Sequence, residues 1–206
     1  MVWWRWRLLF AATVMTSIIT TTDTQAGKSY KYLSTYVDTM SASNSGMTTY
    51  QIGIKLKGGA ANAYTIIGTS KGPMIIPAAW QKKTFGKNFG GVSKDIVKIF
   101  KDAGYDSWLT VGITGGDSSN ELGSAGLKDS LKAWSPASGG FGKGFTNKDC
   151  GVFWMNPAKT RAKGSGKIVV AQLTLKKGVK LSVQMGMMGT LSNGKKWRED
   201  KVIFKS

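Results

Sequence analysis

Five carboxylates, Asp102, Asp106, Asp117, Glu121 and Asp129, fall close together in a chain that has no histidine and a single cysteine. Two facing carboxylates can cleave a glycosidic bond, one as the acid and the other as base or nucleophile. The same oxygens could hold calcium, but the ligand spacing of a calcium loop is absent. Asp117 follows Gly115 and Gly116 and precedes Ser118, so turn formation accounts for it without catalysis. The absence of histidine excludes Ser-His-Asp and Cys-His machinery and zinc sites of the His/Cys type. No catalytic constellation, metal site or cofactor is assigned from these residues.

A second candidate is RAKGSGKIVVAQLTLKKGVKLSV, from Arg161 to Val183. Its Ser-Gly-Lys flanked by glycine resembles a loop that cradles phosphate. Such a loop must follow a strand and open a helix whose first amides point at the anion. Here the glycines precede a strand pattern, Ile168 to Leu175, and Ile168 stands where the metal-binding hydroxyl belongs. The stretch is expected to be a β-hairpin, turning at Lys176, Lys177 and Gly178, with a basic rim. GGFGKGF, Gly139 to Phe145, is expected to be a flexible surface loop.

Charge and aromatics carry the third candidate. The chain has 29 basic and 11 acidic residues. MVWWRWR followed by LLFAATVMTSIIT and TDTQA reads as an export signal over residues 1–26, the alternative being a membrane anchor or buried helix. Its removal would take Arg5, Arg7 and Asp23 and leave 180 residues with a net charge of +17. Only Arg161 and Arg198 would then be arginines. Lysine attracts anions as a mobile point charge, whereas arginine reads phosphate or carboxylate with a fork, so a non-specific polyanion is implied. Tryptophan beside lysine adds stacking on sugar rings. Trp80 with Lys82 and Lys83, and Trp197 with Lys195, Lys196 and Arg198, are the preferred binding clusters. Lys176, Lys177 and Lys180 join them as a basic rim. Trp108 and Trp154 lie in apolar strand patterns and are expected in the core. Specific nucleic-acid motifs are absent.

The elements that must position these residues are mainly strands. YQIGIKLKG puts Ile52, Ile54 and Leu56 on one face and Gln51, Lys55 and Lys57 on the other. GVKLSVQMGM turns Val179, Leu181, Val183, Met185 and Met187 inward. SWLTVGIT, YKYLSTYV, AYTIIGT, VFWM, KIVVAQLTL and KVIFK read as further strands. Ser93 caps one helix, VSKDIVKIFKDAG, with Ile96, Ile99, Phe100 and Ala103 on one side and Gly104 as its stop. The expected fold is all-β: a jelly-roll-like antiparallel β-sandwich of about eight strands with one short helix, in a single domain over residues 27–206. Cys150 has no intrachain partner and is expected to be partly buried.

The ordered set AYTIIGTSKGPMIIPAAWQ, YDSWLTVGIT, GVFWMNP, VVAQLTL and KKWREDKVIF resembles an uncharacterised domain of exported proteins in marine microalgae and some bacteria. The resemblance covers most of residues 50–204 and implies no activity or catalytic residue. That family has more acidic loops where this chain has TNKDC and NPAKTRAKGSGK. The sequence therefore predicts a secreted, non-catalytic binding or structural protein of a cell surface or extracellular matrix. Its partner would be an acidic or sulfated polysaccharide or another polyanionic surface, without a membrane span. A carboxylate-based polysaccharide-active enzyme is the alternative.

Overall fold

The computed structural model describes the backbone of residues 20–21 and residues 29–40, 46–116 and 121–206 in full. Apart from Thr20 and Thr21, the expected export signal lies outside them, as does Asp117.

The described chain is predominantly antiparallel β. Five strands form one sheet in the order β1 (Thr20–Thr21), β2 (Leu33–Met40), β3 (Met47–Leu56), β12 (Ile168–Lys176) and β7 (Trp108–Leu109). Seven form a second. Its path is β10 (Phe145–Asn147), β5 (Met74–Ile76), β13 (Ser182–Leu191), β4 (Ala60–Gly68), β11 (Cys150–Trp154) and β8 (Leu122–Ala125), with β14 (Lys196–Lys205) on the other side of β13. A two-stranded ribbon pairs β6 (Trp80–Gln81) with β9 (Gly140–Phe141).

One buried cluster draws on both large sheets. Leu33, Ile52, Ile54 and Leu173 come from the first, and Ile66, Val152, Val183, Met185, Val202 and Phe204 from the second. Trp108 and Trp154 are buried as the apolar patterns require, the Trp154 indole N–H donating to the Val111 carbonyl at 2.8 Å. Cys150 is free and buried, its sulfur 3.9 Å from that of Met74. Burial pushes the Cys150 thiol up to about 11, so it stays protonated and inert at neutral pH. Close approach of β3 to its neighbours depends on Gly53, where a Cβ would collide with the Ile168 carbonyl and the Tyr36 hydroxyl.

Three expectations are corrected. The stretch from Ile168 to Val183 is not a hairpin, because β12 pairs with β3 and β7 whereas β13 pairs with β4, β5 and β14. The turn at Lys176–Val179, closed by the Val179 N–H on the Lys176 carbonyl at 3.1 Å, carries the chain from one sheet to the other. Alternating apolar residues satisfy either arrangement, since both bury the same face. Val179 falls in this turn and is 47% exposed instead of facing inward.

The predicted helix is shorter than its pattern. Ser93 caps α1 (Lys94–Ile99) as expected, its hydroxyl accepting from the Ile96 N–H at 3.3 Å. The chain then tightens into a 3-10 turn over Lys101–Tyr105. Ile99 is left 73% exposed, so the expected apolar side does not form a buried stripe. Finally, a second helix, α2 (Lys128–Trp134), is present, with no side-chain cap. The described strands number fourteen, several of only two or three residues.

The outer face of the five-stranded sheet is polar and mostly covered. Thr49 and Thr174 share a hydrogen bond at 2.7 Å, and the Gln51 amide donates to the Gln172 oxygen at 2.9 Å. This ladder anchors the 3-10 segment. The Gln172 amide donates to the carbonyls of Gly104 (2.9 Å) and Asp106 (2.8 Å), and the Thr174 hydroxyl to that of Tyr105 (2.6 Å). Three consecutive carbonyls are thus held, which satisfies buried polar groups on both sides at once.

Candidate functional site

Trp80 follows Pro77, and its neighbourhood is built from backbone bonds between the ribbon and α2. The Trp134 indole N–H donates to the Pro77 carbonyl at 3.1 Å, which seats the end of α2 in the core. The Gly142 N–H donates to the Ala79 carbonyl at 3.1 Å and the Lys143 N–H to that of Ala133 at 2.9 Å, tying the connection after β9 to the ribbon and the helix. Gly139, at φ +73°, lets the chain pass against Lys83, where a Cβ would lie 2.9 Å from the Lys83 nitrogen.

Between α2 and the ribbon lies a cleft of about 440 Å³ lined by Asp129, Lys132, Ala133, Pro136, Phe141, Gly142 and Lys143. Phe141 is exposed, and the Lys176 ammonium lies 5.3 Å from its ring centroid. Lys176 ends β12 on the same face as Gln172 and Thr174, which is why it reaches the ribbon from a different sheet. Lys132 and Lys143 thus line the cleft with Phe141, whose ring Lys176 overlies, and Asp129 is the one described carboxylate in the lining. Such a cleft can hold an anionic chain by lysine contacts while a ring rests on Phe141.

Of the residues singled out from sequence, Trp80, Lys83 and Lys176 come to this ribbon. Trp80 is half-buried and pairs directly with Phe141 in the ladder. Lys82 is engaged in an ion pair with Asp102. Lys177 and Lys180 are exposed in the turn that leads to β13. Lys195, Lys196 and Arg198 lie at the far end of that strand, roughly 30 Å away at about 3.3 Å per residue, so the expected single rim is two separate groups. Arg198 is also paired with Asp200 at 2.6 Å.

Trp197 is corrected outright. It is 2% exposed, its indole N–H donates to the Asn62 carbonyl at 2.9 Å, and its ring lies 5.7 Å from that of Tyr32. It packs over Gly189 and presents no face to a ligand. Sequence reasoning missed Lys132, Phe141 and Lys143. GGFGKGF was expected to be a flexible loop, yet it supplies β9 and leads directly into β10. Its signal was an aromatic residue with glycine on both sides and lysine two positions on.

The carboxylates serve structural ends. Asp106 is buried, and its two oxygens accept from the backbone N–H groups of Lys82 (2.9 Å) and Lys87 (2.6 Å), which fixes the loop after β6. Burial pushes its carboxyl up to about 6, against these two donors and the Ser107 N–H, which pull it down. Glu121 pairs with Arg161 at 2.8 Å. Asp129 is exposed at the cleft. Among the described residues, no group of three metal-ligating side chains is gathered.

The glycine-flanked lysine is likewise occupied. The Lys167 ammonium lies 2.7 Å from both oxygens of Asp38 and 4.7 Å from the Tyr36 ring centroid. A strand, β12, follows it in place of the helix that a phosphate loop must open.

No family model, curated protein or solved structure matches the chain. Among the described residues, no helix is long and apolar enough to cross a membrane.

Proposed function

We propose that this is a secreted, non-catalytic binding protein of a cell surface or extracellular matrix that holds acidic or sulfated polysaccharide in the cleft between α2 and the ribbon. The observation that carries the reading is that Lys132 and Lys143 line one cleft with the exposed Phe141, whose ring the Lys176 ammonium overlies from β12. The proposed architecture is a jelly-roll-like sandwich, supported by the two antiparallel sheets that contribute to one buried cluster. The motif order that resembles exported microalgal and bacterial domains fits the same setting. The alternative, a polysaccharide-cleaving enzyme, loses support because Asp102, Asp106 and Glu121 are engaged with Lys82, backbone amides and Arg161.

Exposed lysines act through screened attraction, so binding must weaken steeply with salt, the Debye length being about 8 Å at physiological ionic strength. On a heparin column, Lys132→Gln/Lys143→Gln/Lys176→Gln should elute at clearly lower salt than the parent. Its log affinity should also fall less steeply with log salt, by about one unit per lysine removed, as for linear polyanions. The distal Lys195→Gln/Lys196→Gln/Arg198→Gln variant should lose less. Equal losses would mean that charge acts diffusely and that the cleft is no site.

A further inference from the structure

A second cleft, of about 380 Å³, lies between the helical segment 94–105 and the outer face of the five-stranded sheet, and it shares no lining residue with the first. Its lining includes Gln51 and Gln172 from the sheet, Val97, Lys94 and Lys98 from α1, and the buried Trp108. The ladder described above fixes this arrangement, because the Gln172 amide holds two carbonyls of the covering segment.

Three features define what would fit. The Gln51 amide spends one N–H on Gln172. Among the described residues its carbonyl oxygen takes no hydrogen bond, so both a donor and an acceptor remain at the cleft. Lys98 is held by Asp95 at 2.8 Å, whereas Lys94 has no ion-pair partner and no carboxylate lines the cleft among the described residues. The volume is near the lower end of the range for small-molecule pockets, about 300–1,000 Å³, which accommodates one sugar ring.

We propose that this cleft binds a single acidic sugar unit, its hydroxyls on Gln51, its apolar ring face toward Val97, and its carboxylate on Lys94. An amide that both donates and accepts beside an apolar wall matches the alternating hydroxyl and C–H surfaces of a pyranose. The Lys94 ammonium selects the uronate over the neutral sugar. This inference is independent of the polysaccharide reading, because the two clefts can be disabled separately.

The test is calorimetric titration of the intact protein with sodium glucuronate and, separately, with glucose. Glucuronate should bind saturably and more tightly than glucose. Lys94→Gln should weaken glucuronate by about tenfold and leave glucose unchanged, the loss expected for one charge-assisted hydrogen bond. Lys98→Gln should leave both within about twofold, since Asp95 already neutralises that lysine. The triple variant of Lys132, Lys143 and Lys176 should bind glucuronate as the parent does. The inference is overturned if glucuronate gives no saturable heat at tens of millimolar, if Lys94→Gln binds it unchanged, or if the triple variant abolishes binding.

Discussion

Replacing Trp197 by alanine should destabilise the protein by about 3–5 kcal/mol, the usual cost of emptying a buried aromatic site. The indole is sealed between Gly189 and Tyr32, and its removal leaves the Asn62 carbonyl without its indole donor. At about 2–4 °C per kcal/mol for a chain of this size, the melting temperature should fall by roughly 6–20 °C. Urea titration gives the free energy directly, provided the slope against denaturant is unchanged. A residue that met ligand at the surface would give the opposite pattern, with stability kept and affinity lost. Stability within about 1 kcal/mol of the parent would place Trp197 outside the core.

The second large effect is expected at Asp106, and it depends on pH. Its folded carboxyl titrates near 6, above the ordinary value of about 3.9 in an unfolded chain. Below the lower value both states hold the proton. Between the two, the unfolded state releases a proton that the folded state keeps, so the contribution of Asp106 to stability declines as pH rises and levels off above 6. The change amounts to about 3 kcal/mol for a shift of about two units. Asp106→Asn cannot titrate, and its amide NH₂ must face one of the two backbone N–H donors from Lys82 and Lys87. The advantage of the parent over this variant should therefore be greatest near pH 4 and shrink toward pH 7. Paired urea titrations at pH 4, 5, 6 and 7 measure it. An advantage that grows with pH would mean that the backbone donors outweigh burial and that the carboxyl titrates below its ordinary value.

How far these results were legible in the sequence differs between strands, sheets and site. Ile52 with Ile54, and Val183 with Met185 and Met187, mark buried faces because side chains alternate along a strand. The pattern says which face is buried and is silent on which sheet a strand joins, so it fits β12 and β13 equally well as a hairpin or, as found, in separate sheets. The helix α2 was hidden because Leu127 offers no capping side chain and only Leu131 and Trp134 mark its apolar side. The sequence did contain the correction for Trp197. In Lys196-Trp197-Arg198, strand alternation that exposes the two cations must turn the tryptophan inward. The cleft itself was not legible, since Lys132 and Phe141 line it from α2 and the ribbon, and Lys176 reaches the Phe141 ring from β12.

Mapping a sulfated oligosaccharide by backbone amide chemical shifts tests the central claim most directly. With a heparin tetrasaccharide at low salt, the largest perturbations should cluster at Lys132, Phe141, Gly142, Lys143 and Lys176, and they should collapse as salt is raised. Perturbations centred on Lys195, Lys196 and Arg198, or spread evenly over the exposed lysines, would contradict the assignment of the cleft as the binding site.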